Sequence, residues 1–209
     1  MTLVARQLSC TRGDRDLFQS VSIDLQPGAV LRIAGHNGAG KTSLFRLLCG
    51  LSAPSAGEVS WNGININTLG EQFRSQLTYV GHLNGIKDDL TVRENLVMNA
   101  LLAGHPVPPG STGSVLEQVG LADVADLPTR VLSQGQKKRV ALARLAFCAG
   151  TPLWLLDEPF SALDARAVAW LCETLNQHLR NNGMVVYSTH QDMELQGKSS
   201  LTLDLDMPC

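Results

Sequence analysis

Residues 30–48 read VLRIAGHNGAGKTSLFRLL, and the spacing inside this stretch decides the fold class. Gly35-His36-Asn37-Gly38-Ala39-Gly40-Lys41-Thr42 fits the pattern G-x-x-x-x-G-K-[ST]. Val30 to Ala34 is a short apolar run between Pro27-Gly28 and Gly35, as expected of a buried strand. Leu44, Leu47, Leu48 and Leu51 then recur at helical spacing. A glycine-rich loop in that setting points successive backbone N–H groups at an anion, and the helix N-terminus adds the positive end of its dipole. The backbone from Gly35 through Ser43 is therefore the candidate phosphate cradle. Lys41 supplies a point charge for the β- and γ-phosphates of a nucleotide, and the Thr42 hydroxyl is placed for Mg²⁺. A plain glycine-rich turn is the weaker reading once strand and helix flank the loop.

The bulk properties set limits outside this stretch. A chain of 209 residues suits one domain, or one domain with a small insert. A net charge of -2 and the lack of any basic run give no support to nucleic-acid binding. No uninterrupted apolar stretch reaches the ~18 residues that a membrane span needs. The N-terminal MTLVARQLSCTRGDRD is polar where a signal peptide needs an apolar centre, so a cytosolic setting is expected. The five cysteines (Cys10, Cys49, Cys148, Cys172, Cys209) are then reduced. They lie far apart without a C-x-x-C pair, so a cysteine metal site is not expected; Cys209 reads as a terminal thiol.

Working outward, residues 3–10, 21–26 and 57–62 read as strands, with a polar turn at 10–15. A further strand is expected at 77–80, followed by a loop at 81–88. Thr91-x-x-Glu94 is a capping-box signature that opens a helix through about Ala103. Residues 105–113 form a Pro/Gly-rich loop, and 114–119 a short helix. Leu132-Ser133-Gln134-Gly135-Gln136 precedes a helix expected to end at Gly150. Leu153 to Leu156 is a buried strand, and Val168, Leu171, Leu175 and Leu179 mark one helix face. Strands at 184–188 and through Leu201, Leu203 and Leu205 follow. The expected fold is α/β: a P-loop NTPase core with a mostly parallel sheet and helices on both faces. An N-terminal antiparallel β patch and an inserted helical subdomain complete it. One nucleotide-binding domain thus spans 1–209, its core at 1–83 and 151–209 and its helical subdomain at 84–150.

A phosphate loop alone does not separate kinase, switch and motor. The apolar run at 153–156 ends at Asp157-Glu158, which puts two carboxylates beside the loop. Asp157 can hold Mg²⁺ through its water shell, and Glu158 can polarise an attacking water. A kinase has no use for a water-activating group, so the pair favours hydrolysis. His190, at the end of the next strand, is the candidate for approaching the γ-phosphate from the other side.

LSQGQ at 132–136 resembles the signature motif of ATP-binding-cassette ATPases. GHNGAGKT, LWLLDE, SALD at 161–164 and Thr189-His190 join it in the order that family uses, so the resemblance covers nearly the whole chain. It implies a pair of cassettes, with each ATP between the loop of one and the signature of the other. Ser133, Gly135 and Gln136 would then face the γ-phosphate held by a second copy, and Asp164 would pass the state of one site to the other. Two positions depart from the common pattern. His82 stands where most cassettes have glutamine, which gives it a candidate catalytic place. Arg12 stands where an aromatic residue usually stacks on adenine; its guanidinium plane can stack instead, with Phe18 a second candidate.

The runs CTRG, GAGKTSLFRLLCGL, YVGH followed by GIK, and LWLLDEPFSALD also resemble the ATP-binding subunits of bacterial haem exporters used in cytochrome c maturation. That resemblance implies ATP and Mg²⁺, integral-membrane partner subunits, a haem chaperone reached indirectly, and a peripheral place on the cytoplasmic face of the inner membrane. His36, His82, His105 and His178 form no haem-ligand pair. Two alternatives stand beside it, a cassette serving another small-molecule cargo and a soluble cassette acting on ribosomes or DNA. The second lacks the tandem cassette or coiled-coil insertion that such proteins carry.

Overall fold

The computed structural model describes residues 1–191 and 193–206; Cys209 lies outside them. β1 (Leu3–Arg12) and β2 (Arg15–Leu25) form a long antiparallel hairpin, with Leu3 opposite Leu25 and Arg12 opposite Arg15. The strands therefore run through most of the stretch expected to be a turn, and only Gly13-Asp14 reverse the chain. A cross-strand bond from the Thr11 hydroxyl to Asp16 (2.8 Å) extends the ladder that far. β3 (Ala29–Ala34), the loop at 35–40 and α1 (Lys41–Leu48) come next. Cys49 caps α1, so the helix stops short of Leu51, which lies outside it and is half exposed. β4 (Ala56–Trp61) and β5 (Ile64–Asn65) complete an antiparallel sheet of order β2-β1-β4-β5. Two single-turn helices with no clear periodicity in the sequence, α2 (Ile66–Leu69) and α3 (Glu71–Arg74), lead into β6 (Leu77–Val80).

The segment 81–152 contains three α-helices and no strand: α4 (Val92–Leu102), α5 (Ser111–Gln118) and α6 (Gln134–Ala143). The Thr91/Glu94 capping box is formed at the start of α4. Buried Asn95 fixes the preceding loop to the helix, accepting from Lys87 N–H (2.7 Å) and donating to the carbonyls of Lys87 (2.9 Å) and Leu90 (3.1 Å). α6 begins inside the LSQGQ motif rather than after it, because the Ser133 side chain caps it. Beyond Ala143 the chain tightens into a 3₁₀ turn over Arg144–Phe147 instead of continuing as an α-helix to Gly150. There the Arg144 guanidinium donates to the carbonyl of Tyr79 and ties the turn to β6.

β7 (Leu153–Leu156), α7 (Ala165–Arg180), β8 (Met184–Ser188) and β9 (Ser199–Asp204) complete the described chain. The second sheet has the order β6-β7-β8-β3-β9, and every pair in it is parallel. Every residue of β7 and β8 is buried, which explains why both strands read as unbroken apolar runs. Their side chains alternate between the two faces. Leu153, Leu155, Met184 and Val186 pack with Leu44, Phe45 and Leu48 of α1 and with Leu3, Leu8 and Val21 of the antiparallel sheet. Trp154, Leu156, Val185 and Tyr187 pack on the other face with Leu171, Leu175 and Leu179 of α7. Val92 and Leu96, Val115 and Leu116, and Val140 and Ala143 unite α4, α5 and α6 in a third cluster. Parallel strands place all their C-terminal ends on one edge. The loop after β3, the carboxylates after β7 and Thr189-His190 after β8 therefore meet there.

Candidate active site

Gly40 is the N-cap of α1 at φ 101, a left-handed conformation that favours glycine, and no side chain caps the helix start. A Cβ there would also press on Phe18 Cδ1 (3.0 Å) and Leu17 Cβ (3.1 Å). Phe18 thus lies under the loop, 7% exposed, and cannot stack on a base. That removes it as the second candidate for the adenine. Arg12, at the exposed end of β1, does border the cleft above the loop.

This cleft, of about 510 Å³, is lined by Arg12, Leu17, Asn37, Gly38, Gly40, Lys41, Thr42, Ser43, His82, Asp157, Glu158, Ser161 and His190. Residues brought together from 12 to 190 in the chain thus share one surface. The ammonium of Lys41 donates to the carbonyls of Gly35 (2.7 Å) and His36 (3.2 Å) and lies 4.0 Å from Glu158 Oε1. Thr42 Oγ1 donates to Asp157 Oδ2 at 2.6 Å. His190 Nε2 sits 3.1 Å from Asn37 Oδ1, 3.3 Å from Lys41 Nζ and 3.3 Å from Glu158 Oε1. The last of these is a close approach without hydrogen-bond geometry, which leaves Glu158 Oε1 buried and unsatisfied. His82 lines the cleft from an exposed position and makes no hydrogen bond or ion pair to any described residue.

Ser188, which the sequence reading did not single out, supports both carboxylates. Fully buried at the end of β8, its hydroxyl donates to Asp157 Oδ1 (2.8 Å) and accepts from the Glu158 backbone N–H (2.9 Å). Glu158 itself holds a positive φ of 50, a conformation unfavourable for a side chain this long unless its surroundings impose it. The signal available in the sequence was a hydroxyl closing the apolar run Met184-Val185-Val186-Tyr187. Lys138 was missed as well. It is 4% exposed on α6; burial lowers its pKa, while the charges of Asp157 and Glu158 oppose that shift.

Ser133, Gly135 and Gln136 lie away from this cleft, and none of its described lining residues comes from α6. Ser133 and Gln136 satisfy each other at the helix start: Gln136 N–H donates to Ser133 Oγ (3.2 Å) and Ser133 N–H to Gln136 Oε1 (2.9 Å). A Cβ on Gly135 would come 2.5 Å from the Ala162 carbonyl oxygen, so only glycine lets α6 rest on the 161–164 turn. Asp164 ends that turn as the N-cap of α7, accepting from Ala167 N–H at 2.8 Å, with Arg139 Nη1 3.9 Å from its carboxylate. The LSQGQ segment, exposed at Ser133 and Gln134, and the cleft are therefore two separate surfaces of one chain.

The residues present fit a nucleoside triphosphate with a hard cation. Thr42 and Asp157 offer adjacent oxygen donors of the type Mg²⁺ selects, and the loop presents N–H groups with one buried cation. Comparison with known proteins agrees with ATP binding. The ABC transporter family model matches residues 18–161. The cytochrome c biogenesis ATP-binding export protein CcmA of Nitrosospira multiformis is 46% identical over 98% of this chain and 98% of its own length. An ABC transporter ATP-binding protein of Pyrococcus furiosus superposes with a TM-score of 0.82 at 23% identity, covering 99% of this chain and 98% of that one. A dimeric ATP-binding cassette in a post-hydrolysis state with ADP and Pi superposes with a TM-score of 0.76 at 23% identity, over 90% and 88%. With its own motifs gathered along one sheet edge and relatives matching it end to end, the chain belongs to the ABC transporter family, among the CcmA-type ATP-binding export proteins.

Proposed function

We propose that this chain hydrolyses ATP as one half of a paired cassette that drives an export step of cytochrome c biogenesis, with haem as the cargo of its membrane partners. One observation carries the reading: a triphosphate cleft holding Lys41, Glu158 and His190 is separated in the same chain from the signature, where Ser133 is exposed and Gly135 half-buried. Two copies related by symmetry bring the signature of each onto the cleft of the other. The cassette solved with ADP and Pi was a dimer, which supports the same assembly here.

In the closed pair the loop N–H groups and Lys41 hold the β- and γ-phosphates in place. Thr42 directly, and Asp157 through water, would hold Mg²⁺, which supplies charge neutralisation when bound. Glu158 takes a proton from the attacking water as its oxygen bonds to the γ-phosphorus and the bond to ADP breaks. His190, in contact with Asn37, Lys41 and Glu158, faces the γ-phosphate side of the cleft from the end of β8. His82 borders the same space and offers a ring nitrogen for hydrogen-bonding a water there. Arg12 offers its guanidinium plane to the base.

Among the described residues no helix is long and apolar enough to cross a membrane. On this reading the chain sits peripherally on the cytoplasmic face of the inner membrane, and meets a haem chaperone only through its integral-membrane partners. Leu83, Leu101 and Leu102, which are 86%, 58% and 78% exposed, supply apolar surface for those partners around the His82 loop and α4. The test replaces Lys41 with alanine in the organism and measures c-type cytochromes and ATP hydrolysis by the assembled complex. Both should be lost. Normal cytochrome c with abolished hydrolysis would assign the cassette to a different cargo.

A further inference from the structure

The geometry points to Asp206 as a positioning residue of the phosphate loop: its carboxylate bridges the backbone N–H and the ring of His36, and so holds in place the peptide carbonyls that orient Lys41. The pairing of β9 with β3 delivers it there. The two strands run in parallel register from Ala29 beside Ser199 to Ala34 beside Asp204. Leu205 N–H then donates to the Ala34 carbonyl (3.1 Å), which extends the ladder past the end of β3. Asp206 N–H donates back to Asp204 Oδ1 (3.0 Å) and sets the bend that turns the next side chain onto the loop.

The contact is two-pronged. His36 N–H donates to Asp206 Oδ2 at 2.8 Å, and His36 Nδ1 lies 2.5 Å from Asp206 Oδ1. The His36 carbonyl, on the other side of the same residue, accepts from Lys41 Nζ (3.2 Å) and from Ala39 N–H (3.2 Å). A carboxylate 170 positions away in sequence therefore fixes the first turn of the loop, and that turn fixes the lysine. The His36 side chain holds the Asp206 carboxyl below the usual carboxylate range, so it stays charged at neutral pH. Both side chains are well exposed, at 61% and 40%, and bury little apolar surface. The contact thus adds little to global stability, and its consequence is local to the loop.

This inference rests on the ATP-binding reading of the loop, and the test separates the two. Calorimetric titration of the full chain with MgATP gives both the dissociation constant and the binding stoichiometry. Asp206→Ala should weaken ATP about tenfold at unchanged stoichiometry, the effect of losing charge-assisted hydrogen bonds. Asp206→Asn keeps an acceptor for the His36 N–H but loses the charge, and should weaken ATP by about threefold. An ATP affinity within about twofold of wild type in Asp206→Ala, with binding lost in Lys41→Ala, overturns the clamp and spares the loop reading. Unchanged binding in Lys41→Ala overturns the loop reading itself. A fall in stoichiometry with an unchanged dissociation constant also overturns the clamp, because it marks Asp206 as a folding contact only.

Discussion

Replacing Ser188 with alanine tests whether the carboxylates of Asp157 and Glu158 in the candidate site depend on one buried hydroxyl. That hydroxyl is 0% exposed and serves two partners, donating to Asp157 Oδ1 at 2.8 Å and accepting from Glu158 N–H at 2.9 Å. Alanine leaves one lone pair of a 1%-exposed carboxylate and one backbone N–H without a protein partner. A hydrogen bond to a charged group contributes about 1.5–3 kcal/mol, and a buried unsatisfied donor costs about 1–3 kcal/mol. The two losses share one site and do not add in full, so about 3 kcal/mol is expected. At this chain length that corresponds to a fall in melting temperature of about 9 °C. Urea denaturation measures the first number and a thermal scan the second. Turnover should fall as well, because the Glu158 peptide at φ 50 loses the bond that holds it there. A loss below about 1 kcal/mol would refute the reasoning, since the cleft would then have re-solvated both groups at little cost. In an Asp157→Asn background the same substitution should cost less, because the charge that strengthens the bond is gone.

Glu158→Gln should keep ATP binding and slow turnover by about 10²–10⁴, the usual contribution of a general base, while a dimer accumulates in ATP. Phosphate release and size-exclusion chromatography measure the two effects, and unchanged turnover would assign the base elsewhere. His178 gives a pH test away from the site. It is stacked on Trp154 with ring centroids 3.8 Å apart, and burial lowers its pKa from 6.5 to about 4. The unfolded chain takes up a proton below pH 6.5 that folded His178 refuses, so its contribution is complete above 6.5 and declines as the pH falls toward 4. Between about pH 7 and about pH 5 this amounts to roughly 2 kcal/mol. In His178→Phe that part of the pH dependence should vanish from urea midpoints; an unchanged slope would show that another group carries it.

What could be read in the sequence was contiguous. The loop at 35–42 forms from neighbouring residues, and its glycines and following helix are set by local backbone preference. Asp157-Glu158 was legible because four buried residues precede it and the strand must end where polarity begins. The Thr91/Glu94 box spans four residues and needs no distant partner. Errors arose where tertiary contacts outweighed local pattern. The 10–15 stretch reads as a turn by composition, yet pairing carries both strands through it to Gly13-Asp14. Leu51 keeps helical spacing, but α1 has already been capped at Cys49. Phe18 reads as an available ring, but the turn at Gly40 is packed on top of it.

Spacing and composition establish that a strand, a phosphate loop and a helix occur in that order, that two carboxylates end a buried strand, and that a helix accompanies the LSQGQ motif. Each depends on interactions spanning only a few residues, so composition and spacing suffice. That Ser188 underpins both carboxylates, that Lys138 lies buried near them, and that Asp206 reaches the loop follow from three-dimensional packing alone. These depend on the order β6-β7-β8-β3-β9, in which β3 inserts between strands far from it in the chain. Periodicity reports which face of a strand is buried, but not which strand lies beside it.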